Sequence, residues 1–165
     1  MLNLKDLGFQ LITKDVSDKE GTAYVHLLVT PLSFFDGSIY KICVSEIMDK
    51  ERECIFISDC GSVKELLKKF DADSEDPNNE INLLIGSFGA FFDENEDLEC
   101  TELVMPAEKE HLIDSLAKYL HLLGSINALV LHAVGSELAE FMKHVASKGK
   151  KAKYGTRNFS GHTKH

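Results

Sequence analysis

Apolar and polar residues alternate in the first part of the chain in the manner of β-strands. Residues 22–30 (TAYVHLLVT) and 38–47 (SIYKICVSEI) are rich in β-branched and aromatic side chains, and Asp36-Gly37 between them is a hairpin turn signal. Residues 53–58 (ECIFIS) predict a third strand after a short charged turn. Three strands with two tight connections predict an antiparallel meander.

A helical period replaces this alternation further along the chain. Residues 62–70 and 80–92 each carry apolar side chains at helical spacing, and Ser62 with Glu65 forms a capping-box pattern at the start of the first segment. Residues 98–104 (LECTELV) predict a further strand. A short amphipathic helix is predicted nearer the N-terminus, over residues 2–13, from leucines three and four positions apart.

Two helices are predicted at the C-terminal end. Pro106 stands where helices begin, Gly124 is expected to end the first helix, and Ser125 is expected to cap the second. In the second helix the apolar period predicts that Val134 and Phe141 are buried. Strands followed by helices predict an α+β fold: an antiparallel three- to four-stranded meander with helices packed on one face and a C-terminal helical pair.

Acidic and basic residues are distributed unevenly along the chain. Its 165 residues are 44% hydrophobic and 27% charged and carry a formal net charge of −9, in the range of one soluble domain. Residues 148–165 contribute six cationic residues and no acid, so residues 1–147 carry −15. We therefore predict a single acidic domain over 1–147 and a basic tail over 148–165.

The same features predict a cytoplasmic protein with no membrane contact. No signal peptide is visible after Met1, and no strongly apolar run approaches the roughly 20 residues of a membrane helix. The four cysteines have no paired spacing, which fits reduced thiols.

No motif predicts a metal or a cofactor. The acidic runs 71–76 and 93–97 begin with the spacing of a calcium loop, but they lack its glycine and its final glutamate. His162 and His165 are one residue too close for the usual zinc pair. We expect no metal site, no cofactor and no catalytic residue.

The most specific local signal is ISDCG at residues 57–61. It places Asp59 at the start of a helix, where aspartate satisfies free backbone N–H groups. Asp36 and Asp59, each at a strand end, would mark one rim of the sheet. A metal-dependent enzyme with carboxylates near Asp36 and Asp59 is therefore kept as a second alternative.

Several short motifs together resemble an uncharacterised bacterial and phage domain family. These are Thr30-Pro31-Leu32, Asp36-Gly37, Ser58-Asp59-Cys60-Gly61, and Phe88-Gly89 before an acidic turn. The resemblance covers about residues 22–130, and Cys60 and the basic tail depart from the pattern. It implies no activity. It does imply a small intracellular bacterial protein encoded on a mobile element.

These observations favour a non-enzymatic intracellular protein-binding module. In its most specific version the acidic domain mimics nucleic acid and inhibits a defence or DNA-processing protein. The partner-binding residues would be acidic side chains of the turns and loops: Asp36, Asp59, Asp71, Asp73, Glu75, Asp76, Asp93, Glu94, Glu96 and Asp97.

A nucleic-acid-associated protein is the first alternative. The basic tail could contact phosphates and stack on bases, because cationic and aromatic residues are interleaved in it. The residues concerned are Lys150, Lys151, Lys153, Tyr154 and Arg157.

Overall fold

The computed structural model describes residues 10–15, 22–49, 52–95 and 99–154, and the side chains of most of them. One antiparallel sheet contains all six strands, in the order β1-β2-β3-β4-β6-β5. The elements in chain order are β1 (Gln10–Asp15), β2 (Thr22–Ser33), β3 (Ile39–Asp49), β4 (Arg52–Ser58), α1 (Ser62–Lys69), α2 (Glu80–Ser87), β5 (Phe91–Asn95), β6 (Cys100–Ala107), a 3-10 turn (Lys109–His111) and α3 (Leu112–Tyr154).

The predicted α+β fold is confirmed. Strands β1 to β4 form the meander, each strand pairing with the next one in sequence. The β2–β3 hairpin closes at the predicted turn, where Gly37 has a φ of 87° and donates a 3.0 Å hydrogen bond to the carbonyl of Phe34. Strand β6 then pairs with β4, and β5 forms the outer strand beyond it.

Burial alternates along the central strands, so the sheet has two different faces. Residues of β2 and β3 such as Leu28, Ile42 and Val44 are completely buried on one face. The first half of α3 supplies the matching apolar layer, in which Leu122 and Leu123 are also completely buried. The helices therefore cover one face of the sheet, as predicted.

Two of the predicted helices were wrong in part. Residues 10–13, assigned to an N-terminal helix, lie in β1, whose backbone pairs with β2 from Gln10↔Val29 to Asp15↔Tyr24. The rest of that prediction lies outside the described residues. The helix predicted over 80–92 ends at Ser87, because Gly89 adopts a φ of 73° and the chain then pairs with β6 as β5.

The predicted C-terminal helical pair is one continuous helix. Pro106 lies in β6, and α3 runs without a break through Gly124. Here Ser125 is not a cap: its hydroxyl donates to the carbonyl of His121, one turn back, at 2.9 Å. The burial prediction also fails, since Val134 is half-buried and Phe141 is 62% exposed.

By their internal contacts the residues group into two compact units, Met1–Val130 and Leu131–His165. The first unit holds the sheet and the core. In the second, the part that the structure describes is the continuation of α3 as far as Tyr154. The helix therefore runs through residue 148, where the sequence analysis placed the start of the tail.

Candidate functional site

Asp59 joins β4, α1 and β6 through its carboxylate. Atom Oδ1 accepts hydrogen bonds from the backbone N–H groups of Gly61 at 3.1 Å and Leu103 at 2.8 Å, and Oδ2 accepts from Val63 at 2.5 Å. The side chain is completely buried. The predicted placement of Asp59 at a helix start is therefore correct, but a partner protein cannot contact it, so its assignment to a partner surface was wrong.

The predicted capping box does not form at the same helix. Gly61 is the N-cap residue, with a φ of 81°, and as a glycine it has no side chain that could cap the helix. The Ser62 hydroxyl donates to the carbonyl of Asp59 at 2.9 Å. The Asp59 carboxylate reaches the N–H of Val63 in the first turn and so takes the role that the sequence assigned to Ser62.

Burial has a measurable electrostatic consequence at Asp59. Loss of hydration raises the pKa of this carboxyl from 3.8 to about 6, and the backbone N–H groups that bind it only partly oppose the rise. Nearby, the Tyr119 hydroxyl donates to the carbonyl of Leu103 at 2.5 Å, which connects α3 to the same point on β6. This junction therefore holds four elements together, β4, α1, β6 and α3.

Asp36 binds the end of α1 opposite to the one that Asp59 binds. Its Oδ2 accepts a 2.8 Å hydrogen bond from Lys69 in the last turn of α1, and its Oδ1 accepts from Ser38 in the hairpin turn. These bonds lower the pKa of Asp36 from 3.8 to about 2. Asp59 is bound at the first turn of the same helix.

The remaining acidic residues of the predicted partner surface fall into two classes. Asp73 forms an ion pair with Lys64 at 2.6 Å, so its charge is locally compensated. The described side chains of Asp71, Glu75, Asp76, Asp93 and Glu94 are exposed. Glu96 and Asp97 lie outside the described residues.

A buried acid–base pair that the sequence did not predict lies between β2 and β3. His26 on β2 and Glu46 on β3 are completely buried, with His26 Nε2 3.7 Å from Glu46 Oε2. The Lys109 ammonium group lies 3.6 Å from Glu46 Oε1 and also contacts Glu53. Burial lowers the pKa of His26, although Glu46 opposes the effect. The only signal in the sequence is strand alternation. His26 and Glu46 each lie an even number of residues from the buried positions of their own strand, so they face the core.

The second face of the sheet, opposite α3, carries several apolar side chains that reach the solvent. Paired residues lie on the same face of a sheet, and the pairs Ile12↔Leu27 and Leu27↔Cys43 continue across it. We call this surface the open sheet face and define it by six apolar side chains that are exposed or half-buried: Ile12, Val25, Leu27, Ile47, Phe56 and Phe91. Three of them are strongly exposed: Ile12 at 52%, Ile47 at 42% and Phe91 at 46%.

The sequence of β2 already contains a signal for the open sheet face. A strand with one wet face should alternate apolar and polar residues, but β2 reads as a nearly continuous apolar run, with Val25, Leu27 and Val29 at the outward positions. Such runs are typical of strands that are covered on both faces. The apolar character of the outward face of β2 could therefore have been predicted from the sequence.

A second group of exposed apolar residues lies on the later part of α3. Leu131, Leu138, Phe141 and Met142 are each between 49% and 62% exposed. The stretch Lys109–His144 contains an 18-residue window with a mean hydropathy of 1.4, so by length and composition alone it could cross a membrane. In the first half of α3 the apolar residues are core residues, since Leu116 and Leu123 are buried. The absence of membrane contact stays a prediction.

The remaining candidate residues have no described side chains. Lys150, Lys151, Lys153 and Tyr154 lie on the last turns of the α3 backbone, and Arg157 lies outside the described residues. Within the described part of the chain, no group of three or more His, Cys, Asp or Glu residues could hold a metal ion. No protein-family model, curated protein or solved structure matches this chain. The family resemblance therefore remains a prediction.

Proposed function

We propose that the chain is a non-enzymatic protein-binding module and that the open sheet face is its docking surface. The observation that supports this most is the exposure of Ile12, Ile47 and Phe91 on one apolar face of a folded sheet. Apolar surface of this kind gains free energy when a partner removes it from water, at about 25 cal/mol per Å². The acidic loops then contribute selectivity around this centre.

Charge indicates the chemistry of the partner. Residues 1–130, which form the unit that carries the open sheet face, have a formal charge of −14. A complementary partner surface is therefore apolar at its centre and rich in lysine and arginine at its rim. Proteins that bind nucleic acid commonly have basic surfaces, so the more specific proposal is an acidic inhibitor that occupies such a surface.

The test uses two double variants of matched exposure. Ile47→Ser with Phe91→Ser removes apolar surface from the open sheet face, whereas Leu83→Ser with Ile113→Ser removes similarly exposed side chains from α2 and α3. A protein captured from a bacterial lysate by the wild-type chain is purified, and its Kd for each variant is measured by calorimetry. Two half-exposed side chains contributing about 1 kcal/mol each predict a roughly thirtyfold weaker Kd for the face variant.

The control variant should bind like the wild type. If both double variants bind equally well, the open sheet face is not the interface and the proposal is wrong. Competition between the chain and duplex DNA for the captured protein tests the inhibitor version separately. Without competition, the chain is a protein-binding module that does not mimic nucleic acid.

The basic end of α3 supports a second candidate, a nucleic-acid-associated protein. The backbone of α3 continues to Tyr154, so Lys150, Lys151 and Lys153 follow one another on helical turns. Closely spaced lysines on a helix are suited to phosphate contacts. Binding of duplex DNA by the full chain, with a steep salt dependence that is lost after truncation at Ser147, would favour this candidate.

A further inference from the structure

Two cysteines from different parts of the chain contact each other beside the Asp59 junction. Cys43 lies in the middle of β3, directly opposite Ser58, the last residue of β4. Cys60 follows two residues later, in the turn between β4 and α1, and its thiol interacts with that of Cys43. Both side chains are half-buried, so a small molecule can reach them. Separate elements therefore hold the two cysteines at neighbouring positions.

The backbone at Cys60 adopts a conformation that suits glycine better than cysteine. Its φ of 53° lies in the left-handed region, which favours glycine over a residue with a side chain. Gly61 has a φ of 81°, so two consecutive residues of this turn are left-handed. Glycine would fit the position of Cys60 better, and what cysteine adds there is a thiol against Cys43.

The environment gives the two thiols different chemical roles. The interaction with Cys60 lowers the pKa of Cys43, against the opposing effects of burial and of the nearby carboxylates of Glu102 and Asp59. The same interaction, together with burial, raises the pKa of Cys60. Because the thiolate is the reactive form, these directions favour Cys43 as the nucleophile of the pair and Cys60 as the second thiol.

We propose that Cys43 and Cys60 are a peroxide-sensitive dithiol that closes to an intramolecular disulfide. The Cys43 thiolate attacks one oxygen of hydrogen peroxide, the O–O bond breaks, and the departing hydroxide takes up a proton and leaves as water. The resulting sulfenic acid is attacked by Cys60, the S–O bond breaks, and a second water leaves as the disulfide forms. Two thiols lose two electrons in total, and one peroxide is reduced to two waters.

The other two cysteines provide internal comparisons. Cys54 is exposed on β4 opposite Ile47 and lies outside the Cys43–Cys60 contact. Cys100 is closer, since a side-chain carbon built at Gly61 would lie 3.4 Å from its sulfur. A reaction governed by exposure alone would modify Cys54 first. A reaction governed by proximity to the turn alone would also recruit Cys100.

The experiment treats the reduced full chain with stoichiometric hydrogen peroxide, blocks the remaining thiols and maps linked peptides without reductant. Cys54 and Cys60 share one tryptic peptide between Arg52 and Lys64, so the Cys54→Ser variant identifies the linked cysteine. We expect one Cys43–Cys60 disulfide in the wild type, in Cys54→Ser and in Cys100→Ser. The thiol of Cys43 should react at least about tenfold faster than that of Cys54.

Two further variants test the order of the steps. In Cys60→Ser the reaction should stop at a sulfenic acid on Cys43, which a cyclic 1,3-diketone traps, while Cys43→Ser should form no disulfide at Cys60. The peptide map of the wild type tests the proposal even if these variants fold poorly. Preferential oxidation of Cys54, a Cys60–Cys100 link or only intermolecular disulfides would each overturn it.

Discussion

The pH dependence of folding should carry the titration of Asp59. In the folded protein burial raises the pKa of this carboxyl from 3.8 to about 6. Between these values the native state keeps a proton that the unfolded chain has released, so the free energy of unfolding falls as the pH rises from about 4 to about 6. Two pKa units correspond to about 3 kcal/mol, which is the expected cost of the buried charge at neutral pH.

Substitution of Asp59 by Asn removes the titration and keeps the shape. The amide oxygen can still accept from Gly61 and Leu103, while the amide nitrogen meets the N–H of Val63, which is also a donor. That contact costs about 1–3 kcal/mol, and the cost does not change with pH. Relative to the wild type, the variant should therefore gain about 3 kcal/mol between pH 4 and pH 7.

The assay is urea unfolding of the wild type, Asp59→Asn and Asp93→Asn at several pH values from 4 to 8. Asp93 is exposed, so its variant is the control and should run parallel to the wild type. The contributions of other groups, including His26, cancel in the difference between the curves. If the wild-type and Asp59→Asn curves are parallel across this range, the carboxyl is not protonated on folding and the electrostatic interpretation of the junction is wrong.

Three further predictions concern stability. Phe141→Ala should cost less than about 1 kcal/mol in thermal unfolding because its side chain is 62% exposed, whereas the completely buried Leu123→Ala should cost about 2–5 kcal/mol; equal losses would contradict the assigned core. Lys69→Met breaks the surface ion pair with Asp36 and should lower the free energy of unfolding by at most about 1 kcal/mol at pH 7. Asp36 protonates near pH 2, so calorimetry at that pH should show no difference between the variant and the wild type. A chain that ends at Ser147 should unfold at nearly the same temperature as the full chain, since the core residues precede position 131; loss of cooperative unfolding would show that the later residues belong to the core.

Local signals predicted the parts of the fold that depend on neighbours in sequence. The Asp36-Gly37 turn fixed the β2–β3 hairpin, and Asp59 was placed correctly at the start of α1 because its helix contacts lie within four residues. The burial of Asp59 could not be predicted in this way. It depends on Leu103, which is 44 residues away and reaches the carboxylate only after β6 pairs with β4.

Periodicity identified apolar helix faces but not what covers them. The spacing of Val134 and Phe141 is as regular as that of Leu116 and Leu123, yet only the second pair is buried. Gly124 was expected to end a helix because glycine is flexible, but a glycine inside a long helix costs only about 1 kcal/mol, which packing on both sides of it can offset. The adjacency of Cys43 and Cys60 likewise requires the strand register, which no local pattern contains.

The position of β5 at the rim of the sheet gives its acidic residues a role that needs no partner. An outer strand presents unsatisfied backbone N–H and C=O groups along its free side, and these can recruit a strand from another molecule and start aggregation. Strand β5 is only five residues long, and Asp93 and Glu94 are exposed on it. Like charges on two such strands repel each other when they approach. The acidity of this segment therefore opposes edge-to-edge pairing, and we expect Thr substitutions at both positions to increase intermolecular β-sheet formation.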